Sequence, residues 1–307
     1  MSDEPVELSW KRGSRSIAFQ KAVIAALFLV AITARFPSAH SQDLDTLLKQ
    51  YNEVLPFAGT SRLTAGGVSM PLQLENQANL SPQDVYSRAV PSVLLVVAQK
   101  TSSDSEGEQG SAVAISSSVA ITNCHVVMYG DLKQDDPAFR YTRVMQAISI
   151  RDSNGRTGSA ELILQHPDID ICLIRSPDLA LAPIAGVVPY RVVQIGERVF
   201  SLGNPQGLTF SFGEGIVSQK RGAVDLGQGQ CADLIQHSAP QSPGSSGGAL
   251  LNSAGLLIGI TESQSKDGQN LNFAIPAALL WEKYPDGNAS NVQITSPLYG
   301  AAVTGCP

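Results

Sequence analysis

Pro243-Gly244-Ser245-Ser246-Gly247-Gly248 is the stretch on which the reading of this chain turns. Three glycines flank a serine pair, after the apolar Leu234-Ile235 and ahead of Ala249-Leu250-Leu251. Glycines cluster where the backbone needs conformations closed to other residues and must approach a ligand closely. A tight turn of this kind exposes a hydroxyl and aims backbone N–H groups at a developing oxyanion. Taken alone, the run also fits an ordinary flexible Gly/Ser loop.

A serine nucleophile needs a base, and the base needs a group to orient it. The histidines are His40, His125, His166 and His237. His125 closes the β-like run Ser118–Val127, and Asp170 opens the apolar run Ile171-Cys172-Leu173-Ile174. A histidine at a strand end and an aspartate in a turn are individually unremarkable. Together with Ser246 they give the order His…Asp…Ser, that of the chymotrypsin-like proteases. Gly244-Ser245-Ser246-Gly247-Gly248 also satisfies the nucleophile-elbow pattern of α/β-hydrolases, but that fold needs a histidine after the serine, and none follows Ser246. The order Asp…His…Ser would need an acid upstream of His125, and Asp104 lies in a polar loop.

Six blocks occur in one order: Thr122–Val127, Asp170–Ile174, Leu202-Gly203-Asn204-Pro205-Gln206-Gly207, Gly215–Ser218, Gly244–Gly248 and Asn272–Pro276. From about Val90 to Tyr284 the chain resembles the HtrA/Deg-type trypsin-like serine proteases. The resemblance implies an all-β fold of two six-stranded antiparallel barrels with the active site between them. It implies His125, Asp170 and Ser246 as the catalytic triad, with an imidazole nitrogen in reach of Ser246 Oγ. It also implies an oxyanion hole within Gly244, Ser245 and Ser246, the N–H groups of Gly244 and Ser246 being the donors.

The walls of the substrate pocket would be Pro240, Gln241 and Ser242 with Thr261, Ser263 and Gln264, more polar than the aliphatic pocket usual in the family. Trypsin itself carries an acid six residues before its nucleophile. Here Pro240 stands there, so a preference for basic residues is not supported. Glu262 falls where the family has a small hydroxyl residue near the triad aspartate. Two acids there would repel, and one pKa would rise. Glu262 is therefore expected to turn away, unless the register slips by one residue.

Strand-like segments fall into two sets of six separated by Gly/Ser/Asp turns, which independently suits paired barrels. The first is Val93–Ala98, Ser111–Ile115, Val119–Asn123, Ala147–Arg151, Ala160–Leu164 and Ile171–Arg175. The second is Arg198–Leu202, Leu208–Val217, Leu234–His237, Gly248–Asn252, Leu256–Thr261 and Leu271–Ile275. Ser81-Pro82 reads as the N-cap and first position of a short helix, and Pro276–Tyr284 as a closing helix. The expected division is a signal peptide over 1–41, an N-terminal helical segment and linker over 42–89, the protease domain over 90–285, and a tail over 286–307. Within 42–89, Asp43–Leu55 has helical leucine spacing and Phe57–Asn79 reads as linker. The 23 residues after Tyr284 would not hold the PDZ domain usual in the family.

Lys11, Arg12, Arg15 and Lys21 precede the apolar run Ala22–Thr33, and Ala39-His40-Ser41 offers a small-x-small cleavage site before Gln42. Export to the periplasm or medium is the expectation, with an uncleaved membrane anchor as the alternative. The chain is 43% hydrophobic with a formal net charge of −6. Residues 1–41 hold more basic than acidic side chains, so their removal makes the rest more acidic. Without a basic stripe, a nucleic-acid partner is not expected. No C-x-x-C pair occurs, so a zinc or thioredoxin-like site is not expected; the expected chemistry uses no metal or other cofactor. Four cysteines, Cys124, Cys172, Cys231 and Cys306, allow three pairings, which the sequence leaves open.

The expected function is a serine endopeptidase acting through an acyl-enzyme on unfolded or exposed polypeptide segments, with envelope quality control as the family role. The alternative is a protease-fold chaperone or binding module with little turnover. Association into homo-oligomers is left open, with 42–89 as the segment that could supply the contacts.

Overall fold

A short strand with one apolar face gains little until that face is covered, and a sheet closed on itself covers all of them and leaves no edge. The computed structural model describes residues 62–65, 68–71, 79–101, 107–132, 140–227, 230–264 and 270–283. Its strands are, in chain order, β1 Arg62–Ala65, β2 Val68–Pro71, β3 Val93–Gln99, β4 Glu108–Ala114, β5 Val119–Thr122, β6 Met128–Tyr129, β7 Arg143–Val144 and β8 Ala147–Arg151. Then come β9 Thr157–His166, β10 Ile171–Arg175, β11 Arg198–Gly203, β12 Ser211–Gly227, β13 Gln230–His237, β14 Ala249–Asn252, β15 Leu257–Gln264 and β16 Asn272–Pro276. Two closed six-stranded barrels result, ordered β10-β5-β4-β3-β8-β9 and β11-β12-β13-β16-β15-β14.

Period-two patterning builds both interiors. Leu94, Val96 and Ala98 of β3 meet Ala112 and Ala114 of β4, Ile148 and Ile150 of β8, and Cys172 and Ile174 of β10 in the first core. Val199, Val217, Ile235, Leu250, Ile258 and Ala274 fill the second. Each segment read as a strand overlaps one barrel strand. The long polar hairpin β12–β13 exceeds its reading because main-chain pairing, with three register shifts, carries it past the apolar residues.

Three readings are corrected. The stretch read as linker contains β1 and β2, paired antiparallel. The helical turn Cys124–Val127 stands where a strand end was expected. The closing helix spans Leu279–Lys283, because Pro276 still belongs to β16. Ser81 caps the helix Pro82–Ala89 as read, its Oγ accepting from the Asp84 N–H at 3.2 Å. The expected signal peptide, the helix over Asp43–Leu55 and the tail lie outside the described residues. Among the described residues no helix is long and apolar enough to cross a membrane.

Candidate active site

β5 delivers the chain into the helical turn that carries His125, and the turn Pro167–Asp170 before β10 carries Asp170. β5 and β10 are paired neighbours, Thr122 opposite Cys172, so the imidazole and the carboxylate emerge at the same barrel end. Several bonds fix them together. The Asn123 side chain and the Cys124 N–H donate to the Asp170 carbonyl at 2.9 and 3.4 Å. Cys124, next to His125, forms a disulfide with Cys172, two residues beyond Asp170. Cys231 is disulfide-bonded as well, and Cys306 lies outside the described residues.

Asp170 takes φ = 54°, in the left-handed region. A short acid tolerates this better than most residues, and the conformation turns its side chain back onto His125. Asp170 Oδ2 lies 2.7 Å from His125 Nδ1, and Oδ1 accepts the His125 main-chain N–H at 3.0 Å. The carboxylate on the imidazole is thus that of Asp170 and not of Asp168. Asp170 is fully buried and the His125 side chain is 28% exposed. Burial disfavours the imidazolium, but the charge and hydrogen bond of Asp170, then the charges of Glu262 and Glu108, outweigh it. The His125 pKa is pushed up to about 9.

Ser246 comes from the second barrel, in the loop between β13 and β14. Its position rests on Gly244 and Gly247, which take φ = +94° and +85°. A Cβ on Gly247 would run into the Ser111 carbonyl, and one on Gly244 would lie 2.7 Å from the Asn204 carbonyl oxygen. The loop is pinned by Ser245 N–H to Ser242 O at 2.9 Å, Gly247 N–H to Thr261 O at 2.9 Å and Thr261 Oγ1 to Ser245 O at 2.6 Å. Ser245 is buried and Ser246 half-buried, which leaves Ser246 as the accessible hydroxyl of the pair. Ser245 lies within the expected oxyanion loop but its own N–H is used inside that loop, donating to Ser242.

The Ser246 hydroxyl departs from expectation. Its Oγ donates to the main-chain carbonyl of Glu262 at 2.8 Å rather than to His125. A protonated imidazole has no lone pair with which to accept that proton. Glu262 does not turn away. One ring nitrogen of His125 and one carboxylate oxygen each of Asp170 and Glu262 lie within 4.8 Å of one another. The 2.7 Å between His125 Nδ1 and Asp170 Oδ2 is a hydrogen-bond length, so these two are a hydrogen-bonded pair with the Glu262 carboxylate close by.

Of the expected pocket residues, Pro240, Gln241, Ser242 and Thr261 line one cavity of about 100 Å³ with Ser245, and Phe212 and Gly213 of β12 border it. The side chains of Ser263 and Gln264 lie outside the described residues. Gln241 is less available than its polarity implies. Its Nε2 lies 3.0 Å from His237 Nε2 and 3.3 Å from the Phe273 carbonyl. His237 is fully buried, and burial lowers its pKa to about 4, so it is neutral.

Sequence reading missed Ser111 and Asn204. Ser111 in β4 donates its N–H to the Ser246 carbonyl at 2.7 Å and its Oγ to the Gly244 carbonyl at 3.0 Å. Asn204 sends its main-chain N–H to Ser111 Oγ at 3.0 Å and its amide to the Leu94 carbonyl at 3.0 Å. These two buried residues tie the first barrel to the nucleophile loop. Asn204 stood in the block Leu202–Gly207 and Ser111 at the start of the reading Ser111–Ile115, but neither carried a signal of its contact with the nucleophile loop.

Comparison with known proteins places this geometry. Residues 110–260 match the trypsin-like peptidase domain. Serine protease PepD of Mycobacterium tuberculosis is 28% identical over 223 residues, covering 65% of this chain and 45% of that protein. Periplasmic serine endoprotease DegP of Escherichia coli is 33% identical over 136 residues, covering 43% of this chain and 28% of that protein. The chain thus spans less than half the length of both relatives. Among solved structures, the HtrA-type protease AlgW with tripeptide superposes with a TM-score of 0.55 at 31% identity, over 66% of this chain and 62% of that one.

Proposed function

As the chain carries a trypsin-like peptidase domain of the HtrA type, we propose that it is a serine endopeptidase with His125, Asp170 and Ser246 as its triad. The observation that carries this reading is the bidentate grip of Asp170 on His125, at 2.7 and 3.0 Å, beside an accessible serine on a glycine loop. Ser246 Oγ leaves the Glu262 carbonyl by rotation about its Cα–Cβ bond and attacks the substrate carbonyl. His125 takes the hydroxyl proton and returns it to the leaving amine, while Asp170 holds the imidazole in one tautomer and stabilises the imidazolium. Water then enters, is deprotonated by His125 and releases the acyl group from Ser246. The N–H groups of Gly244 and Ser246 receive the oxyanion. One such donor is typically worth about 2.7–4 kcal/mol of transition-state stabilisation.

The substrates in this reading are unfolded or exposed polypeptide segments, whose P1 side chain enters the pocket beside Pro240, Gln241, Ser242 and Thr261. Export past a cleaved 1–41 segment, and action on damaged envelope proteins, complete the proposal. It is tested by turnover of casein and of a denatured proteome by the mature chain. Ser246→Ala is expected to abolish cleavage while leaving the fold intact. Equal cleavage by that variant overturns the proposal, and suppression of aggregation without any wild-type cleavage favours a binding module.

A further inference from the structure

Glu262 touches both ends of the triad proposed above. Its main-chain carbonyl holds the Ser246 hydroxyl at 2.8 Å, and its carboxylate lies within 4.8 Å of His125 and Asp170. The backbone that places it is fixed by the nucleophile loop, since Thr261 accepts from the Gly247 N–H and donates to the Gly248 carbonyl, both at 2.9 Å. We propose that Glu262 is a positioning residue of the peptidase, a second carboxylate that keeps His125 protonated in the resting enzyme and sets the pH range in which it works. This rests on the peptidase reading.

Two carboxylates this close repel each other, and a proton on the imidazole beside both relieves the repulsion. The other groups facing the imidazole do not replace Glu262. Asp170 is the orienting acid. Glu108 reaches the site from β4 but is exposed, so its charge is screened by water. Tyr141, from the segment before β7, is buried, and burial together with Asp170, Glu262 and Glu108 raises its pKa, so it stays neutral. The partly buried Glu262 is therefore the second charge that counts. Its carbonyl and carboxylate act in one direction, keeping the serine proton off the base and the base occupied.

The consequence for rate is specific. Removing the Glu262 charge lowers the pKa of the base, so more imidazole is free at neutral pH. It also removes stabilisation from the imidazolium formed in the transition state. These effects oppose each other at pH 7. The diagnostic is the position of the acidic limb, with a lower alkaline plateau, and not the rate at one pH.

The test follows the His125 titration by NMR in the full chain with labelled histidine, the signal being assigned by its loss in His125→Asn. Wild type is compared with Glu262→Gln, Glu262→Thr, Glu262→Asp and Glu108→Gln, with circular dichroism confirming the fold of each. The His125 midpoint is expected to drop by about one pH unit in the Gln and Thr variants, to return in Glu262→Asp, and to move less in Glu108→Gln. The acidic limb of kcat/KM for peptide cleavage is expected to move with it. A midpoint unchanged within about 0.2 unit in both neutral variants overturns the proposal, as does a limb that stays put while the midpoint moves. A titration shift in a chain that cleaves nothing upholds the electrostatic role of Glu262 and sinks the peptidase reading instead.

Discussion

The main-chain N–H of Ser111 in the first barrel donates to the carbonyl of Ser246 in the second, at 2.7 Å. The proposed nucleophile therefore sits on a loop whose position is dictated by both barrels. Ser111 is fully buried and its Oγ accepts from Asn204 while donating to Gly244. Ser111→Ala leaves those partners unsatisfied in the interior. It is expected to cost about 1–3 kcal/mol of stability and to lower kcat more than it raises KM, because it frees the Gly244 peptide. Urea denaturation with steady-state kinetics checks both effects.

Gly247 and Gly255 make a matched pair. Both have positive φ, +85° and +72°. An added Cβ at Gly247 collides with the Ser111 backbone, whereas at Gly255 its nearest neighbour is the flexible Arg88 side chain at 3.3 Å. Gly255→Ala should cost about 1–2 kcal/mol, the price of the left-handed conformation alone. Gly247→Ala should cost at least about 2 kcal/mol more and abolish cleavage. Thermal unfolding of the two variants side by side gives the comparison.

The Cys124–Cys172 bond closes a loop of sequence separation 48. On the chain-entropy account this corresponds to about 4 kcal/mol at 25 °C. Because the bond also ties the His125 turn to β10, which directly follows Asp170, the double substitution Cys124→Ala/Cys172→Ala should lose activity at temperatures where it is still folded. Circular dichroism and peptide cleavage, followed on one heating series, separate the two losses.

Stability should pass through a maximum near pH 6.5. His125 has a folded pKa of about 9, above the unfolded 6.5. The stability it contributes is fully present below pH 6.5 and is lost as pH rises through 9. His237 has a folded pKa of about 4. The unfolded chain gains its proton first as pH falls, so stability declines from pH 6.5 through 4. His125→Asn should flatten the alkaline side only, and chemical denaturation at a series of pH values reads it.

Much of this was legible in sequence because the carriers are local. Alternating apolar residues gave both strand sets, and the order His125, Asp170, Ser246 selected the barrel pair over the hydrolase elbow. What was not legible depends on contacts between distant segments. The Ser111–Asn204 link joins a strand and a loop 93 residues apart. The Cys124–Cys172 pairing needs the β5–β10 register, and β1–β2 lack strong alternation. Glu262 stood out as a residue of the wrong type, but only the geometry shows its carboxylate facing His125 while its carbonyl holds Ser246.

The central claim is that Ser246 is a nucleophile whose base is His125. Labelling by a serine-directed phosphonate, mapped by peptide mass spectrometry, tests it most directly. The account predicts a single modified residue, Ser246, with labelling that strengthens as pH rises through about 9 and disappears in both Ser246→Ala and His125→Ala. Modification at the buried Ser245, or labelling of Ser246 that persists without His125, would contradict it.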